Sequence, residues 1–311
     1  MANSVVGVFS AGVEKRQEIA GALGKKGSAD DITVYNTSFG GKLVTTVEPT
    51  LYPKKLEAML FSAYLSDYCV VAADALAPEL GEIIVSLDLL GKEKGCLLGM
   101  LDWDMLTKGT VLEKYERADS KKEAVEKALA FEPAKREGST VAVIDHSFDV
   151  KGVGQVALGF VMQGTIRIHD SFRAWPSENS LEIRSIQMQD EDQQAAYSSD
   201  RFGMSFKGMK TGELDRGMVL AREAVAAKEF QADFRASKFC KRPVEDGESL
   251  HFACGLQMVP GKVSCQSPVP AGTAGKVKIA LDGEIAITAG GPILACRLNE
   301  KGLRVVGKIS V

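Results

Sequence analysis

The chain has 311 residues, which is more than one typical domain and fits two or three. Hydrophobic residues make up 45% and charged residues 25%, and the formal net charge is −3, so any contact with RNA has to come from a local patch rather than from the whole protein. The six cysteines are scattered without a C-x-x-C pair, which argues against a zinc site and predicts buried, reduced thiols.

The N-terminal segment 1–10 lacks both a basic stretch and a long apolar run, so it does not read as a signal peptide. No apolar stretch approaches the roughly 20 residues that a membrane-spanning helix needs. We therefore expect a cytoplasmic protein without a membrane partner, and a monomer.

Apolar runs alternate with helix-like segments over the first third of the chain. The predicted strands are 5–9, 32–35, 42–47, 69–73 and 95–101, and the predicted helices are 14–23, 56–65, 80–90 and 120–131. The Gly40-Gly41 pair between two strands indicates a hairpin. This alternation predicts a mostly parallel sheet covered on both faces.

The pattern changes after Pro133, where a polar stretch suggests a linker. From residue 140 onward, short alternating strands are separated by Gly, Asp and Pro, and an Ala-rich break at 221–227 divides them into two sets. We therefore predict an α/β domain at 1–133 and two β-barrels at 140–221 and 225–311.

The first barrel segment gives the sharpest local pattern. Val156, Leu158 and Phe160 alternate and are predicted to face the barrel core. The Gln163-Gly164 pair is predicted to reverse the chain between two barrel strands.

The same segment resembles domain II of the translation GTPases, above all that of the selenocysteine-specific factor SelB. The matching stretches follow in order and spacing over roughly 140–221: IDHSFDVKGVGQV (144–156), GFVMQGTI (159–166), RSIQ (184–187), FGMSFKG (202–208) and DRGMVL (215–220). Residues 225–311 are similar to domain III of that family. The resemblance implies an EF-Tu/SelB-type fold, a P-loop-type α/β domain followed by two β-barrels.

The sequence ends at Val311, whereas a SelB would continue into a domain that reads the selenocysteine signal of the mRNA. Decoding of selenocysteine by the usual route is therefore not expected. The chain also resembles archaeal SelB-like paralogues that are associated with a nonstandard amino acid such as pyrrolysine, although the amino acid itself cannot be read from the sequence.

The resemblance places a degenerate phosphate loop at the start of the chain. Of the family pattern G-x-x-x-x-G-K-[ST], Gly7 and Gly12 are kept, but Val13 stands for the lysine and Glu14 for the hydroxyl residue. The lysine normally neutralises the β- and γ-phosphates and the hydroxyl binds Mg²⁺. Val13 supplies no charge, and Glu14 brings a carboxylate towards anionic phosphates.

The other nucleotide motifs are also altered. The D-x-x-G-H pattern becomes Glu48 to Tyr52, with Leu51 for the pivoting glycine and Tyr52 for the catalytic histidine. Of the base-reading N-K-x-D pattern only Asp104 is kept, and Thr33 resembles the switch threonine. We expect that GTP hydrolysis is lost and that no residue is catalytic. Neither a cofactor nor a metal is expected, but weak GTP binding through loop amides and a helix N-terminus stays open.

The resemblance further implies that the aminoacylated 3′ end of a tRNA lies against the first barrel. The positions that match the family's pocket are Asp145, His146, Phe148, Gln187 and Arg201. Phe148 is expected to pack against the terminal adenine, Arg201 to contact phosphate or ribose, and His146 and Gln187 to bond the aminoacyl group.

In the second barrel Lys238, Lys241 and Arg242 form the densest basic cluster, and the resemblance suggests them for the backbone of the T-stem. The expected function is therefore a translation factor that binds aminoacyl-tRNA, with the ribosome as a further partner implied by the family. Two alternatives stay open: a non-enzymatic scaffold or regulator built on the same three-domain body, and a GTPase with unusual ligands.

Overall fold

The computed structural model describes residues 2–207 and 212–311, so Gly208 of the predicted motif 202–208 lies outside the described residues. Seven strands build the first part: β1 (Ser4–Phe9), β2 (Lys25–Ala29), β3 (Thr33–Phe39), β4 (Lys42–Glu48), β5 (Tyr68–Ala72), β6 (Gly95–Leu98) and β7 (Glu116–Ala118). They form one sheet in the order β2-β3-β4-β1-β5-β6-β7. Strands β4, β1, β5, β6 and β7 run parallel to one another. Strand β3 pairs antiparallel with both β2 and β4.

Helices cover both faces of this sheet: α1 (Val13–Leu23), α2 (Leu56–Leu65), α3 (Pro78–Leu89), α4 (Trp103–Thr107) and α5 (Lys121–Ala130), with one turn of 3-10 helix at Val111–Lys114. On one face α1 and α5 bury Ile19 and Ala124 against β1 and β5. On the other, α2 and α3 bury Met59 and Ile83 against the same sheet. The predicted mostly parallel sheet with two covered faces is confirmed.

Local differences from the prediction have simple causes. Strand β6 ends at Leu98 rather than at 101, where Gly99 adopts a positive φ of 122° and approaches the Ala73 carbonyl. Strand β2 was not predicted because its five residues are all exposed and show no apolar alternation. Helix α4 was missed because it is only five residues long.

Nine strands follow among the described residues: β8 (Val141–Val150), β9 (Gly154–Gln163), β10 (Thr165–Arg167), β11 (Ser171–Trp175), β12 (Asn179–Met188), β13 (Glu191–Gln193), β14 (Ala195–Tyr197), β15 (Arg201–Lys207) and β16 (Val219–Ala221). Strands β11, β16, β8, β9, β15 and β12 pair in this order, and β12 returns to β11, which closes a six-stranded barrel. Strand β13 pairs with β12, and β10 pairs with β14 in a separate small sheet.

Two expectations for this first barrel are wrong. Ala157 and Val161 face its core, whereas Val156 and Leu158 are half-buried on the outer side and Phe160 packs against the α/β domain. The core beside β9 is filled from the neighbouring strand by Phe202, whose ring would collide with a Cβ on Gly159. The turn at Gly164 does not form a hairpin between β9 and the next strand, because β10 pairs with β14 instead.

The last six strands close a second barrel: β17 (Val225–Ala236), β18 (Ser249–Cys254), β19 (Gln257–Cys265), β20 (Ala274–Ile287), β21 (Ile293–Cys296) and β22 (Val305–Ser310), in the order β17-β20-β19-β18-β21-β22. The predicted architecture of an α/β domain followed by two barrels is confirmed. The proposed boundaries 1–133, 140–221 and 225–311 stay a prediction.

The three parts share buried surfaces. Leu294, Cys296 and Val305 of the second barrel belong to the same apolar cluster as Ile83 of α3. All six cysteines are free, and five of them are buried. Burial raises the pKa of Cys69 to about 11, so its thiol stays protonated at neutral pH. Within the described ranges, no helix combines the length and the apolar character that a membrane crossing requires.

Candidate functional site

The loop between β1 and α1 is short, only residues 10–12. Gly7, predicted as the first glycine of a phosphate loop, lies instead within β1, where a Cβ would come within 2.2 Å of the Ser66 hydroxyl oxygen. Gly12 caps α1 with an ordinary φ of −79°. Val13 and Glu14 are the first two residues of α1, and both are exposed.

A buried ion pair lies behind this loop. The Nε of Arg16 in α1 donates to Oε1 of Glu48 at 3.0 Å, and both side chains are completely buried. The two other nitrogens of this guanidinium donate to the carbonyls of Ser10 (2.6 Å) and Tyr52 (2.7 Å). Every nitrogen of Arg16 therefore has a partner inside the protein, as a buried guanidinium requires.

The second oxygen of the Glu48 carboxylate is also occupied. It accepts a hydrogen bond from the hydroxyl of Thr50 at 2.9 Å, and the hydroxyl of Thr33 lies 2.6 Å from that of Thr50. The backbone N–H of Leu51 donates to the Asp31 carbonyl at 3.1 Å. The groups that the resemblance assigns to Mg²⁺ and the γ-phosphate are thus bonded within the chain.

Tyr52 joins this region to the second barrel. Its ring lies between two guanidinium groups, 5.8 Å from that of Arg16 and 5.9 Å from that of Arg304. Its hydroxyl donates to Oε2 of Glu82 at 3.1 Å, and burial raises the pKa of Tyr52 far above its ordinary value. Arg304 donates to both oxygens of Glu82, at 3.0 and 2.6 Å, and to the Pro53 carbonyl at 3.0 Å.

Asp104 does not occupy the loop that follows β6. Because that strand ends at Leu98, Asp104 already lies in α4, with an exposed side chain paired to Arg117 at 2.5 Å. The residues directly after the strand are Gly99 to Asp102, and Asp102 caps α4 by accepting from the Met105 N–H. Of the base-reading pattern, Leu101 and Asp102 lie in the loop that follows the strand.

A second region lies between the sheet and the first barrel. A cavity of about 500 Å³ opens there, and Phe148, Gln187 and Arg201 all line it, together with the half-buried Val156 and Leu158 on its apolar floor. Its size falls in the range of small-molecule pockets. Phe148 keeps 46% of its surface exposed, and the Gln187 amide donates to Oδ1 of Asp192 at 2.9 Å. Asn36 and Thr45 of the sheet complete the cavity wall.

Asp145 and His146, the other two predicted pocket residues, do not line this cavity and lie at a β-bulge of β8. Ile144 pairs with Gly159 and His146 with Leu158, so Asp145 is the extra residue of β8. Its carboxylate lies 2.9 Å from Nδ1 of His146. This carboxylate raises the pKa of His146. Burial by itself would raise the pKa of Asp145, but the charges of the neighbouring cations outweigh burial and hold this pKa below its usual value.

Arg216 is a residue of this region that the sequence did not single out. It pairs with Oδ1 of Asp145 at 3.2 Å and with Oδ1 of Asp31 at 2.8 Å, and its guanidinium lies 5.5 Å from the Phe61 ring of α2. It therefore connects the first barrel to the α/β domain. The only signal in the sequence was its place in the DRGMVL stretch, which identified the barrel but gave no role to the arginine.

Buried polar atoms without a hydrogen bond concentrate in this region. Of ten such side-chain atoms in the described ranges, five belong to Asp145, His146, Arg201 and Arg216. Several of them lie within ion-pair distance of each other, but at angles that leave the hydrogen bonds unmade. Native proteins satisfy most buried polar groups, so this concentration marks a place that favours a polar ligand or ordered water.

The predicted basic cluster is engaged internally. Lys238 donates to the Gly109 carbonyl at 2.8 Å, Lys241 to the Lys301 carbonyl at 3.3 Å, and Arg242 pairs with Glu248 at 2.9 Å. Across residues 2–207 and 212–311, no group of His, Cys, Asp and Glu has an arrangement that could hold a metal ion.

An α/β domain followed by two six-stranded barrels is the architecture of translation elongation factors. SelB from Methanococcus maripaludis in complex with GppNHp aligns with 100% of this chain and 79% of its own, with a TM-score of 0.82 and 18% identity. The apo form gives a TM-score of 0.79 with 19% identity, over 99% of this chain and 78% of that one.

Sequence comparison agrees. An uncharacterized protein of Methanocaldococcus jannaschii is 34% identical over 293 residues, which cover 92% of this chain and 93% of that protein. The selenocysteine-specific elongation factor of the same organism is 32% identical over 123 residues, 39% of this chain and 26% of the factor, so that match spans about a quarter of the factor. No protein-family model matches the chain. The chain belongs to the SelB-like group of the EF-Tu family of elongation factors.

Proposed function

We propose that this protein binds aminoacyl-tRNA, with the 3′ end of the tRNA in the cavity between the sheet and the first barrel. The observation that carries the proposal is the convergence of Phe148, Gln187 and Arg201 on that one cavity. Single-stranded RNA ends are recognised by stacking of unpaired bases on aromatic rings and by contacts to phosphate and ribose.

Each residue has a stated part in this proposal. The exposed ring of Phe148 stacks on the terminal adenine, since an aromatic face beside an apolar floor suits a base. Arg201 contacts phosphate or ribose through its guanidinium, whose Nη2 is held 3.2 Å from the Ser28 hydroxyl. His146 and Gln187 bond the aminoacyl group, and Arg216 pairs with Asp145, whose carboxylate lies beside His146.

We further propose that binding does not depend on a nucleotide. The residues at the β1–α1 loop do not fit a magnesium triphosphate, because Val13 and Glu14 replace the cation and the metal ligand, and Glu48 is saturated by Arg16 and Thr50. A charged partner for phosphate is lacking at the position where the family has lysine. The bonds of Arg304 to Glu82 and Pro53 then hold the α/β domain on the second barrel without a γ-phosphate.

Protection of the aminoacyl ester tests the tRNA proposal. Bound protein should slow the spontaneous hydrolysis of at least one charged tRNA, with pyrrolysyl-, selenocysteinyl- and standard aminoacyl-tRNAs compared side by side. Phe148→Ala and Arg201→Ala should each remove the protection. Tyr197→Ala and Arg222→Ala, which alter an exposed aromatic and an exposed arginine elsewhere on the same barrel, should leave it intact.

Failure of all the charged tRNAs to gain protection would contradict the proposal. Protection that survives both Phe148→Ala and Arg201→Ala would show that the 3′ end lies elsewhere. If no charged tRNA is protected, the three-domain body would serve as a scaffold for a protein partner.

A further inference from the structure

The loops at the carboxyl ends of β1, β5 and β6 lie side by side, because these three strands are adjacent and parallel. In open α/β sheets this edge is where ligands bind. With neighbouring strands about 4.8 Å apart, the three loops span about 10 Å of surface. Their side chains therefore define what this edge can recognise.

Apolar side chains are exposed at this edge. Eleven large hydrophobic side chains are exposed in the described part of the chain, and four of them belong here: Val13, Leu76, Met100 and Met105. Met100 is fully exposed, while Leu76 and Met105 keep 66% and 63% of their surfaces exposed. Phe239 and Lys241 of the second barrel line a groove together with Leu76, and the other six exposed apolar side chains are distributed over the β3–β4 hairpin and the two barrels. A concentration of exposed apolar surface rimmed by polar groups marks an interaction site.

The charges at this edge are mainly negative. Residues 10–15, 73–77, 99–105 and 117–120 contain five carboxylates, against only Lys15 and Arg117. Each of these two cations is already paired, Lys15 with Asp74 and Arg117 with Asp104. The carboxylates that remain, among them Glu14, leave an acidic rim around the apolar side chains. Such a surface repels phosphates and nucleic acid.

We propose that this edge is a docking surface for a basic protein segment that carries apolar anchor residues. Charge complementarity selects this occupant: lysine or arginine side chains of the partner would meet the acidic rim while its apolar residues cover Leu76, Met100 and Met105. A second copy of this chain does not fit, because a two-fold contact through this edge would bring the same carboxylates together. The proposal goes beyond the tRNA site and does not depend on it.

The test uses the full chain and a fluorescent helical peptide that alternates leucine and lysine faces, with a leucine-glutamate peptide of the same pattern for comparison. The lysine peptide should bind and the glutamate peptide should not. The triple variant Leu76→Ser, Met100→Ser, Met105→Ser should bind the lysine peptide at least about tenfold more weakly. The matched control Phe39→Ser, Tyr197→Ser, Val225→Ser, three exposed apolar residues elsewhere, should bind like the wild type.

Methionine oxidation gives a second, site-specific readout. Peptide binding should protect Met100 and Met105 from peroxide, while the half-buried Met162 and Met218 react at an unchanged rate. Equal binding of both peptides, equal binding by the triple variant and its control, or oxidation of Met100 that is unaffected by bound peptide would each overturn the proposal. Displacement of the peptide by GTP with Mg²⁺ would also overturn it, by assigning the edge to nucleotide.

Discussion

Arg16 and Glu48 form a completely buried ion pair behind the loop between β1 and α1, with Nε of Arg16 3.0 Å from Oε1 of Glu48. In a GTPase of this family the position of Glu48 belongs to a motif that serves Mg²⁺ and the γ-phosphate. Here the cation beside the Glu48 carboxylate is the guanidinium of Arg16. The pair links α1 to the end of β4, and through the Tyr52 carbonyl it also links both to the loop before α2.

Removing one partner of this pair should be strongly destabilising. Arg16→Met leaves the Glu48 carboxylate buried without its cation and should lower the free energy of unfolding by about 3–5 kcal/mol. The double variant Arg16→Met, Glu48→Leu should recover part of this loss, because neither charge is then left unpaired. Urea unfolding measures the stability of the single and the double variant. The control is Lys121→Met, which breaks the exposed pair to Glu18 and should change the stability little. An Arg16→Met protein as stable as the wild type would mean that the buried pair does not hold the domain together.

Gly7 of β1 and Gly12 of the following loop should differ in their tolerance of alanine. Gly7→Ala places a methyl group 2.2 Å from the Ser66 hydroxyl oxygen within β1, so we expect a loss of about 1–3 kcal/mol of stability. Gly12→Ala meets its nearest atom only at 3.8 Å, at a φ that alanine adopts readily, and should be neutral. Thermal denaturation of both variants checks this. A Gly12→Ala protein that unfolds as easily as Gly7→Ala would show that the loop is more constrained than its geometry indicates.

Arg304 should control how the α/β domain sits on the second barrel. Arg304→Met removes the bonds to both oxygens of Glu82 and to the Pro53 carbonyl, so the two parts should separate more easily. We expect a larger radius of gyration in solution scattering and faster proteolysis at the linker 134–139. Arg242→Met, which breaks a pair within the second barrel, is the matched control and should not alter the scattering curve. Identical curves for Arg304→Met and the wild type would contradict the role given to Arg304.

Stability at the boundary between the first barrel and the sheet should depend on pH. The Asp145 carboxylate raises the pKa of His146 in the folded chain, so protonated His146 stabilises the fold. This contribution is complete below the unfolded pKa of about 6.5 and is lost as the pH rises through the higher folded value. His146→Gln should therefore lower the melting temperature at pH 5.5 more than at pH 8.5. A His146→Gln effect that is the same at both pH values would refute this assignment.

The fold could be read from the sequence wherever the signal is local. The hairpin at Gly40-Gly41 follows from turn chemistry, and the helix at 56–65 has the predicted bounds although eight of its ten residues are buried. The sequence could not show which side chains of β9 face the barrel core, because this depends on Phe202 of a neighbouring strand, which fills the space beside Gly159. The bulge that brings Asp145 to Arg216 was equally hidden, since it requires the register of two strands.

The candidate sites show the same limit. The family resemblance selected Phe148, Gln187 and Arg201 without any knowledge of the cavity that they share. Arg16 contacts Glu48 although the two are 32 residues apart in the chain. Arg304 contacts Tyr52 across 252 residues. Contacts over such separations follow from the packing of whole domains and leave no local pattern.

We propose that this elongation-factor body binds aminoacyl-tRNA without a nucleotide switch. The most direct measurement is the rate of aminoacyl ester hydrolysis with the protein present, in parallel samples with GTP and Mg²⁺ and with nucleotide removed. We predict that the ester is protected to the same extent in both samples. Protection that appears only with GTP and Mg²⁺ would contradict the account, because the edge around Val13, Glu14 and the buried pair Arg16–Glu48 would then hold a nucleotide after all.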